Sequence, residues 1–255
     1  MYPRIMKSAT YGRWIEIAEG TFVPSVTTMI SGGTPMSPWL LEYIIKQSKG
    51  DYDKYKTQKS EAMLIGTRIH QYIEELLKGE KVINLEDELD GVKKGLLCFK
   101  KWFEEYKPEI IAVEEFLYCD ELKDGALRFP FAGTPDLICK IGKEVYLVDF
   151  KSSNQLDPNM GTQLSCYKTL WDVNHDVKID KLAVVWCRKN FMGNGSRVAP
   201  KSLFKEYNYD PKDVYSCYYQ FKKFHGTADG VFNPKPKVEY PDELTLDVDI
   251  KWVKK

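Results

Sequence analysis

Two neighbouring stretches of sequence decide the fold: GTPDLI at 133–138 and EVYLVDFKSS at 144–153, joined by an Ile-Gly-Lys turn signal. In the second stretch Asp149 and Lys151 lie two residues apart on a predicted strand, so side-chain alternation places both on one face. A hairpin between the stretches would bring Asp136 beside Asp149. Two carboxylates that close repel each other unless a cation lies between them, and hard oxygen ligands suit Mg²⁺ or Mn²⁺.

The surrounding sequence predicts an α/β (α+β) fold. Apolar residues at helical spacing predict one helix with Ser60 as its N-cap and Gly79 at its end, and a second over Gly91–Tyr106. The segment VPSVTTMI reads as either a short strand or a capped helix start. The β-rich runs IIAVEEFLYC, FAGTPDLICKI and EVYLVDFKSS follow, then a helix in MGTQLSCYKTLWDV, a buried strand in KLAVVWCRK and a helix in DVYSCYYQFKKFHG. The expected order is α-β-β-β-α-β, a central mixed sheet flanked by helices.

The length of 255 residues suits one decorated domain. We expect an N-terminal decoration at 1–59, a core at 60–190 and a C-terminal extension at 191–255. Acidic and basic residues balance at 37 each, so contact with any polyanionic partner would require a locally basic groove. The absence of a long apolar stretch predicts a soluble, cytoplasmic protein with no membrane partner.

The order of the motifs is similar to that of a known family. The spacing of Asp136, Asp149 and Lys151 matches the PD-x(n)-(D/E)-x-K pattern of PD-(D/E)XK nucleases. GTRIHQYIEELL, VEEFLY, GTPDLI, VDFKSS and QLSCY resemble, in this order, the motifs of RecB-like exonucleases, including those of phages. PSVTTMI also resembles the phage members, and the motifs together span Gly66 to Tyr167. The resemblance implies a restriction-endonuclease-like core.

The resemblance also implies metal ligands and an outer residue that orients one of them. Adjacent strand residues face opposite sides, so either Glu114 or Glu115 points inward, and the family's glutamate aligns best with Glu114. Glu74, one turn after the histidine of the first helix, would orient the imidazole, with a solvated glutamate as the alternative. The implied ligands are His70, Glu114, Asp136 and Asp149.

Catalysis would depend on Lys151, which by resemblance polarises the attacking water and stabilises charge on phosphorus. Gln163 and Tyr167 lie one helical turn apart and would contact the DNA backbone or support Lys151, a plain helix face being the alternative. The implied catalytic set is Asp136, Asp149, Lys151, Gln163 and Tyr167. Further candidate DNA contacts, chosen because they lie near motif ends, are Arg68, Ser152, Ser153, Arg188 and Lys189.

Cofactors other than a divalent metal are not expected. Six cysteines lie far apart with no C-x-x-C pair, which favours reduced, buried thiols and no iron–sulfur cluster. No G-x-x-x-x-G-K-[ST] motif occurs, so no ATP site is expected. The aromatic residues of the last predicted helix favour core packing over base stacking; they are Tyr215, Tyr218, Tyr219, Phe221 and Phe224.

The sequence therefore predicts a metal-dependent DNA exonuclease acting in phage or prophage recombination or repair. DNA is the expected partner, with a phage single-strand annealing protein and a second copy of the chain as candidate partners. The same core also serves structure-specific endonucleases, which is the first alternative. The second is an inert DNA-binding module of a recombination complex, and the presence of every carboxylate and the lysine argues against it.

Overall fold

The computed structural model describes residues 4–8, 12–35, 41–42, 44–46, 52–80, 84–119, 130–189 and 199–225. These residues form a mixed α/β fold. The helices are α1 Val26–Gly33, α2 Tyr52–Leu77, α3 Asp90–Tyr106, α4 Met160–Asn174 and α5 Pro211–His225, with a 3₁₀ turn at Pro200–Leu203. The strands are β1 Arg4–Ser8, β2 Gly12–Ala18, β3 Thr21–Pro24, β4 Glu109–Val113, β5 Leu117–Cys119, β6 Phe131–Gly133, β7 Leu137–Ile141, β8 Glu144–Lys151, β9 Lys181–Trp186 and β10 Phe204–Tyr207.

A five-stranded mixed sheet forms the centre of the fold, in the order β10-β9-β8-β7-β4. Strands β8 and β9 are parallel, and α4 connects them, whereas the other pairs in this sheet are antiparallel. Antiparallel pairs need only short turns, but a parallel pair needs a longer crossover such as a helix. The expected mixed sheet flanked by helices is confirmed.

Helices cover both faces of this sheet because its strands carry apolar residues on both sides. On one face, α2 and α3 pack against side chains that include Val148 and Phe150, with Trp102 fully buried between them. On the other face, α1, α4 and α5 enclose a second cluster that includes Leu147, Val184 and Trp171. Asp149 lies on this second face, among apolar neighbours, and is only 2% exposed.

The N-terminal segment VPSVTTMI contains both a strand end and a capped helix. Strand β3 ends at Pro24, Ser25 is the N-cap of α1, and its Oγ accepts a hydrogen bond from the backbone N–H of Thr28 at 3.2 Å. Strands β1, β2 and β3 form a separate antiparallel sheet. Ser25 also pairs with Ala132, which ties this region to β6.

The predicted start of the long helix was wrong. Helix α2 begins at Tyr52, and Ser60 lies inside it, where its Oγ donates to the backbone oxygen of Lys56 at 2.9 Å. A serine that bonds back to the preceding turn continues a helix rather than capping it. The predicted end at Gly79 is confirmed, because the helix stops at Leu77 and Gly79 takes a φ of +109° that glycine adopts without strain.

Two of the predicted strands are each divided between two sheets. IIAVEEFLYC gives β4 and β5, and FAGTPDLICKI gives β6 and β7, with β5 and β6 paired apart from the central sheet. The bends occur at Glu114 and Thr134–Asp136, where residue types that are uncommon in strands interrupt the runs. Propensity does not show that the two halves of each run join different sheets. Strand β10 was not predicted; it adds to the edge of the sheet beside β9.

Other expectations from the sequence have mixed outcomes. All six cysteines are free and buried, as expected. Tyr218 and Phe221 are buried and Tyr215 packs against them, which confirms core packing, but Tyr219 is 57% exposed, and the side chain of Phe224 lies outside the described residues. In the part of the chain that is described, no helix is both long and apolar enough to cross a membrane. The division into 1–59, 60–190 and 191–255 stays a prediction.

Candidate metal centre

Three side chains from distant parts of the chain meet at one edge of the central sheet. His70 comes from α2, Glu114 directly follows β4, and Asp136 directly precedes β7. Each offers one ligand atom, and these atoms all lie within 4.8 Å of one another. His70 Nδ1 is 3.5 Å from Asp136 Oδ2. A nitrogen and two carboxylate oxygens at this separation form a donor set that fits a divalent ion such as Mn²⁺ or Mg²⁺.

The backbone of neighbouring strands holds Asp136 in place. The N–H of Phe150 donates to Asp136 Oδ2 at 2.7 Å, and the N–H of Glu114 donates to the Asp136 carbonyl at 3.1 Å. Phe150 belongs to β8, so its N–H orients the Asp136 carboxylate before any ligand arrives, and the Glu114 N–H fixes the Asp136 backbone. The proposed hairpin between GTPDLI and EVYLVDFKSS thus exists and positions Asp136 beside β8.

Glu114, and not Glu115, faces the cluster. Glu114 has a φ of 50°, a left-handed conformation that is uncommon for residues other than glycine, and it lies where the chain leaves the central sheet for β5. Glu115 instead contacts His175, whose Nε2 is 2.9 Å from Glu115 Oε1. Strained backbone of this kind persists only where the surrounding structure enforces it, and it often occurs at functional sites.

Asp149 and Lys151 form a close pair beside the cluster. Lys151 Nζ is 2.6 Å from Asp149 Oδ2, and the lysine side chain retains 22% exposure against 3% for the aspartate. The sheet register puts both side chains on the same face, as alternation along the sequence predicted. Asp149, although predicted as a ligand, is not one of the three groups within 4.8 Å of one another, but it is close enough to raise the pKa of Glu114.

Gln163 and Tyr167 of α4 approach Asp149 from the covering helix. Gln163 Nε2 donates to Asp149 Oδ1 at 3.4 Å and to the Tyr167 hydroxyl oxygen at 3.3 Å. Gly133 permits this arrangement, because a Cβ at that position would lie 2.6 Å from Tyr167 Cε1. These two residues were expected to contact DNA or to support Lys151; in the structure Gln163 contacts Asp149, which pairs with Lys151.

Crowding of carboxylates raises pKa values in the site. Burial, with a further contribution from Asp136, raises the pKa of Glu114 to about 8. Burial raises the pKa of Asp149 to about 6, although Lys151 opposes this rise. Burial lowers the pKa of Lys151, but the carboxylates of Asp149 and Asp136 outweigh it, so the net pKa is above the ordinary value. Acidic groups that resist ionisation while they surround a small space indicate a place for a cation.

Two side chains predicted near the site have other partners. The Glu74 carboxylate accepts a hydrogen bond from Lys78 one turn along α2, so the contact found for Glu74 is not with His70. The Arg68 guanidinium donates to Glu88, a carboxylate that is 6% exposed and that also accepts from the Tyr72 hydroxyl at 2.9 Å. This ion pair neutralises the charge of Arg68 within the fold.

The candidate DNA contacts at the strand ends lie close to the site. Ser152 follows Lys151, and its Oγ is 3.0 Å from the point where a Cβ on Gly66 would lie, so α2 passes closely over this turn. Ser153 Oγ donates to the Gln155 carbonyl at 2.6 Å.

Arg188 and Lys189 follow β9. The Arg188 guanidinium carbon lies 4.9 Å from the centre of the Trp186 ring, and burial lowers the pKa of the partly buried Lys189.

Sequence reasoning missed two features that shape the site. The backbone N–H of Phe150 orients Asp136, a contact that no side-chain pattern reveals. Trp186 lies beside Lys151 in the parallel register of β8 and β9. The sequence did contain a signal for this: Trp186 lies in the predicted strand KLAVVWCRK, which is the strand that follows the one carrying Lys151.

Comparisons with known proteins assign no family. No family model and no curated protein matches the sequence. Among solved structures, the one named "Crystal structure of SSO0001" is similar to this chain with a TM-score of 0.41 and 12% identity, covering 78% of this chain and 74% of that one. A similarity this low carries no argument about function.

Proposed function

We propose that this chain is a divalent-metal-dependent deoxyribonuclease of the PD-(D/E)XK type, RecB-like and acting from strand ends. The observation that carries the proposal is the convergence of His70, Glu114 and Asp136 within 4.8 Å, beside the paired Asp149 and Lys151. These side chains come from four separate segments, yet they are the ones that the motif order indicated. The choice of DNA, of exonuclease action and of a phage recombination or repair setting rests on the sequence resemblance.

The chain's own residues would divide the work of hydrolysis as follows. His70, Glu114 and Asp136 would hold the ion, with Asp149 next to them. When bound, Mg²⁺ or Mn²⁺ lowers the pKa of water and offsets charge on a phosphate oxygen. Lys151 keeps its proton because two carboxylates raise its pKa, so at neutral pH it presents a positive charge where negative charge develops on the phosphate.

Gln163 has a positioning role in this proposal. Its amide lies between Asp149 and Tyr167 and therefore fixes the carboxylate that in turn holds the Lys151 ammonium. Holding the ammonium in one orientation reduces the reorganisation that the reaction requires.

The test is a cleavage assay on end-labelled linear DNA and on covalently closed circular DNA, with Mg²⁺, Mn²⁺ or EDTA. Metal-dependent loss of the linear substrate alone supports the exonuclease. Cutting of the circle shows an endonuclease instead, and binding without cleavage under every condition shows an inert module.

Two adjacent glutamates provide a matched pair of variants. Glu114→Gln should reduce cleavage by more than about 100-fold, since losing even an outer partner of a metal ligand typically costs 10- to 100-fold. Glu115→Gln should cleave as the unmodified protein does, because this residue faces His175. Equal activity of the two variants would remove Glu114 from the site.

A further inference from the structure

A cavity lies at the end of β9, lined by residues that the metal centre does not use. Its volume is about 450 Å³, and its walls come from the chain after β8, the end of β9, the 3₁₀ turn and β10. Trp186, Gln155, Ser202 and Lys205 contribute to the lining, with Leu156 among the apolar residues. It therefore combines an aromatic ring, hydrogen-bonding groups and a cation, and none of these belongs to the metal centre.

Trp186 is held firmly in this cavity although it is partly exposed. Its Nε1 donates to the backbone oxygen of Ser153 at 2.6 Å. The guanidinium of Arg188 lies over the ring, 4.9 Å from its centre. An indole fixed at its edge and contacted by a cation presents a rigid surface, so a ligand that stacks there loses little side-chain entropy of the protein.

The cavity is one strand away from Lys151. Trp186 is the register partner of Lys151 in the parallel pair β8–β9, so the two side chains leave the sheet on the same face. The backbone N–H of Cys187 donates to the Lys151 carbonyl at 2.8 Å, which fixes this spacing. Neighbouring strands lie about 4.8 Å apart. A ligand group that stacks on the Trp186 ring would thus lie next to a phosphate held by Lys151.

We infer that this cavity binds one unpaired nucleobase, stacked on Trp186, of the strand whose phosphodiester lies at Lys151; this inference rests on the proposed function. An aromatic side chain stacks on any base, whereas a base inside a duplex is already stacked on both faces. The volume lies within the range of small-ligand sites. Gln155 and Ser202 can hydrogen-bond the base edge, and the cationic Lys205 and Arg188 suit the adjoining phosphates.

A consequence for the substrate follows from this arrangement. A base can reach Trp186 only if it is unpaired, so the nucleotide beside the metal centre must be single-stranded, at a frayed end or in a single strand. Trp186 would therefore act in binding this nucleotide, not in the chemical step.

The experiment measures binding in EDTA, where no metal-dependent cleavage occurs. The probes are a short fluorescent single-stranded oligothymidylate and the same oligonucleotide with abasic residues, titrated by fluorescence anisotropy. Trp186→Ala should weaken binding of the normal oligonucleotide about tenfold, or about 1.4 kcal/mol, because the base loses its stacking on an aromatic ring. Binding of the abasic oligonucleotide should change little.

Two further variants control for structural effects. Trp186→Phe keeps an aromatic ring but loses the Nε1 hydrogen bond. It should retain most of the difference in affinity between the normal and the abasic oligonucleotide. Tyr219→Ala removes an aromatic side chain that is 57% exposed on α5, and it should leave both affinities unchanged.

The inference is overturned if Trp186→Ala binds the normal oligonucleotide as the unmodified protein does, or if it weakens both oligonucleotides equally. It is also overturned if Tyr219→Ala causes the loss instead. The proposed function fails separately, if no metal supports cleavage of DNA; base-dependent binding through Trp186 would then remain as a property of a binding protein.

Discussion

Replacing Asp149 with asparagine is expected to stabilise the metal-free protein at pH 7 and to abolish DNA cleavage. Asp149 is 2% exposed, and burial raises its pKa from 3.8 to about 6 even with the Lys151 ammonium 2.6 Å away. The folded, metal-free protein therefore holds an ionised carboxylate that it disfavours. Asparagine is neutral and can keep its carbonyl oxygen toward Lys151, with the Gln163 amide turned over to accept from the new amide group.

The expected magnitude follows from this rise in the pKa of Asp149. Each pKa unit is worth about 1.4 kcal/mol, so the rise corresponds to a gain of about 3 kcal/mol in the free energy of unfolding of the variant. For a chain of this size, 1 kcal/mol shifts Tm by about 2–4 °C, so the variant should melt about 6–12 °C higher.

The pH dependence has a definite sign. A carboxyl with a raised pKa in the folded state binds its proton more tightly there than in the unfolded state, so folding stability falls as pH rises from 3.8 through about 6. Below pH 3.8 the carboxyl is neutral in both states and the two proteins should differ little. The advantage of Asp149→Asn should grow between these values and stay constant above pH 6.

The assay is thermal unfolding in EDTA at pH 4, 5 and 7, repeated at pH 7 with Mn²⁺. Asp90→Asn is the control, since Asp90 is 85% exposed and its replacement should change stability by no more than about 0.5 kcal/mol. Manganese should raise the Tm of the unmodified protein more than that of Asp149→Asn. A variant less stable than the unmodified protein at pH 7, or an advantage equal at pH 4 and pH 7, would refute the reasoning.

Four further outcomes are expected. Lys151→Ala should slow cleavage while calorimetry still detects Mn²⁺ binding, and loss of binding would place the lysine in a different role. Gly133→Ala should lower the free energy of unfolding, measured by urea denaturation, by about 1–3 kcal/mol, because its Cβ would lie 2.6 Å from the Tyr167 ring. An unchanged free energy of unfolding would show that the ring moves freely. Burial raises the pKa of Cys98 to about 11 and of Cys139 to about 12, so native thiols should react with Ellman's reagent at pH 8 only on unfolding, and a rapidly reacting native thiol would contradict this. From the cysteine spacing, the anaerobically purified protein should show no iron–sulfur absorption, and a visible absorption band would contradict this.

Local periodicity allowed several parts of the site to be predicted. Alternation along a strand places Asp149 and Lys151 on one face, whatever the rest of the fold does, and the structure has them 2.6 Å apart. Helical spacing likewise places Gln163 one turn from Tyr167, and the two are hydrogen-bonded. The end of α2 near Gly79 depends on the backbone freedom of that one residue.

Boundaries and turns between elements were predicted less well, because they depend on contacts outside the local segment. Nothing near Tyr52 distinguishes the first turn of α2 from the loop that Ser60 was expected to cap. The division of two β-rich runs between sheets depends on which strands pair, since β5 and β6 pair with each other apart from the central sheet.

The sequence by itself determined which residue types are available and which near neighbours share a face, because strand and helix periods act over a few residues. Tertiary structure brought Glu114, the glutamate that the resemblance favoured, to His70 and Asp136, while Glu115 contacts His175. It alone decided that Arg68 pairs with Glu88. It also decided that Trp186 is beside Lys151. These outcomes depend on the register and packing of segments far apart in the chain, and no local pattern specifies them.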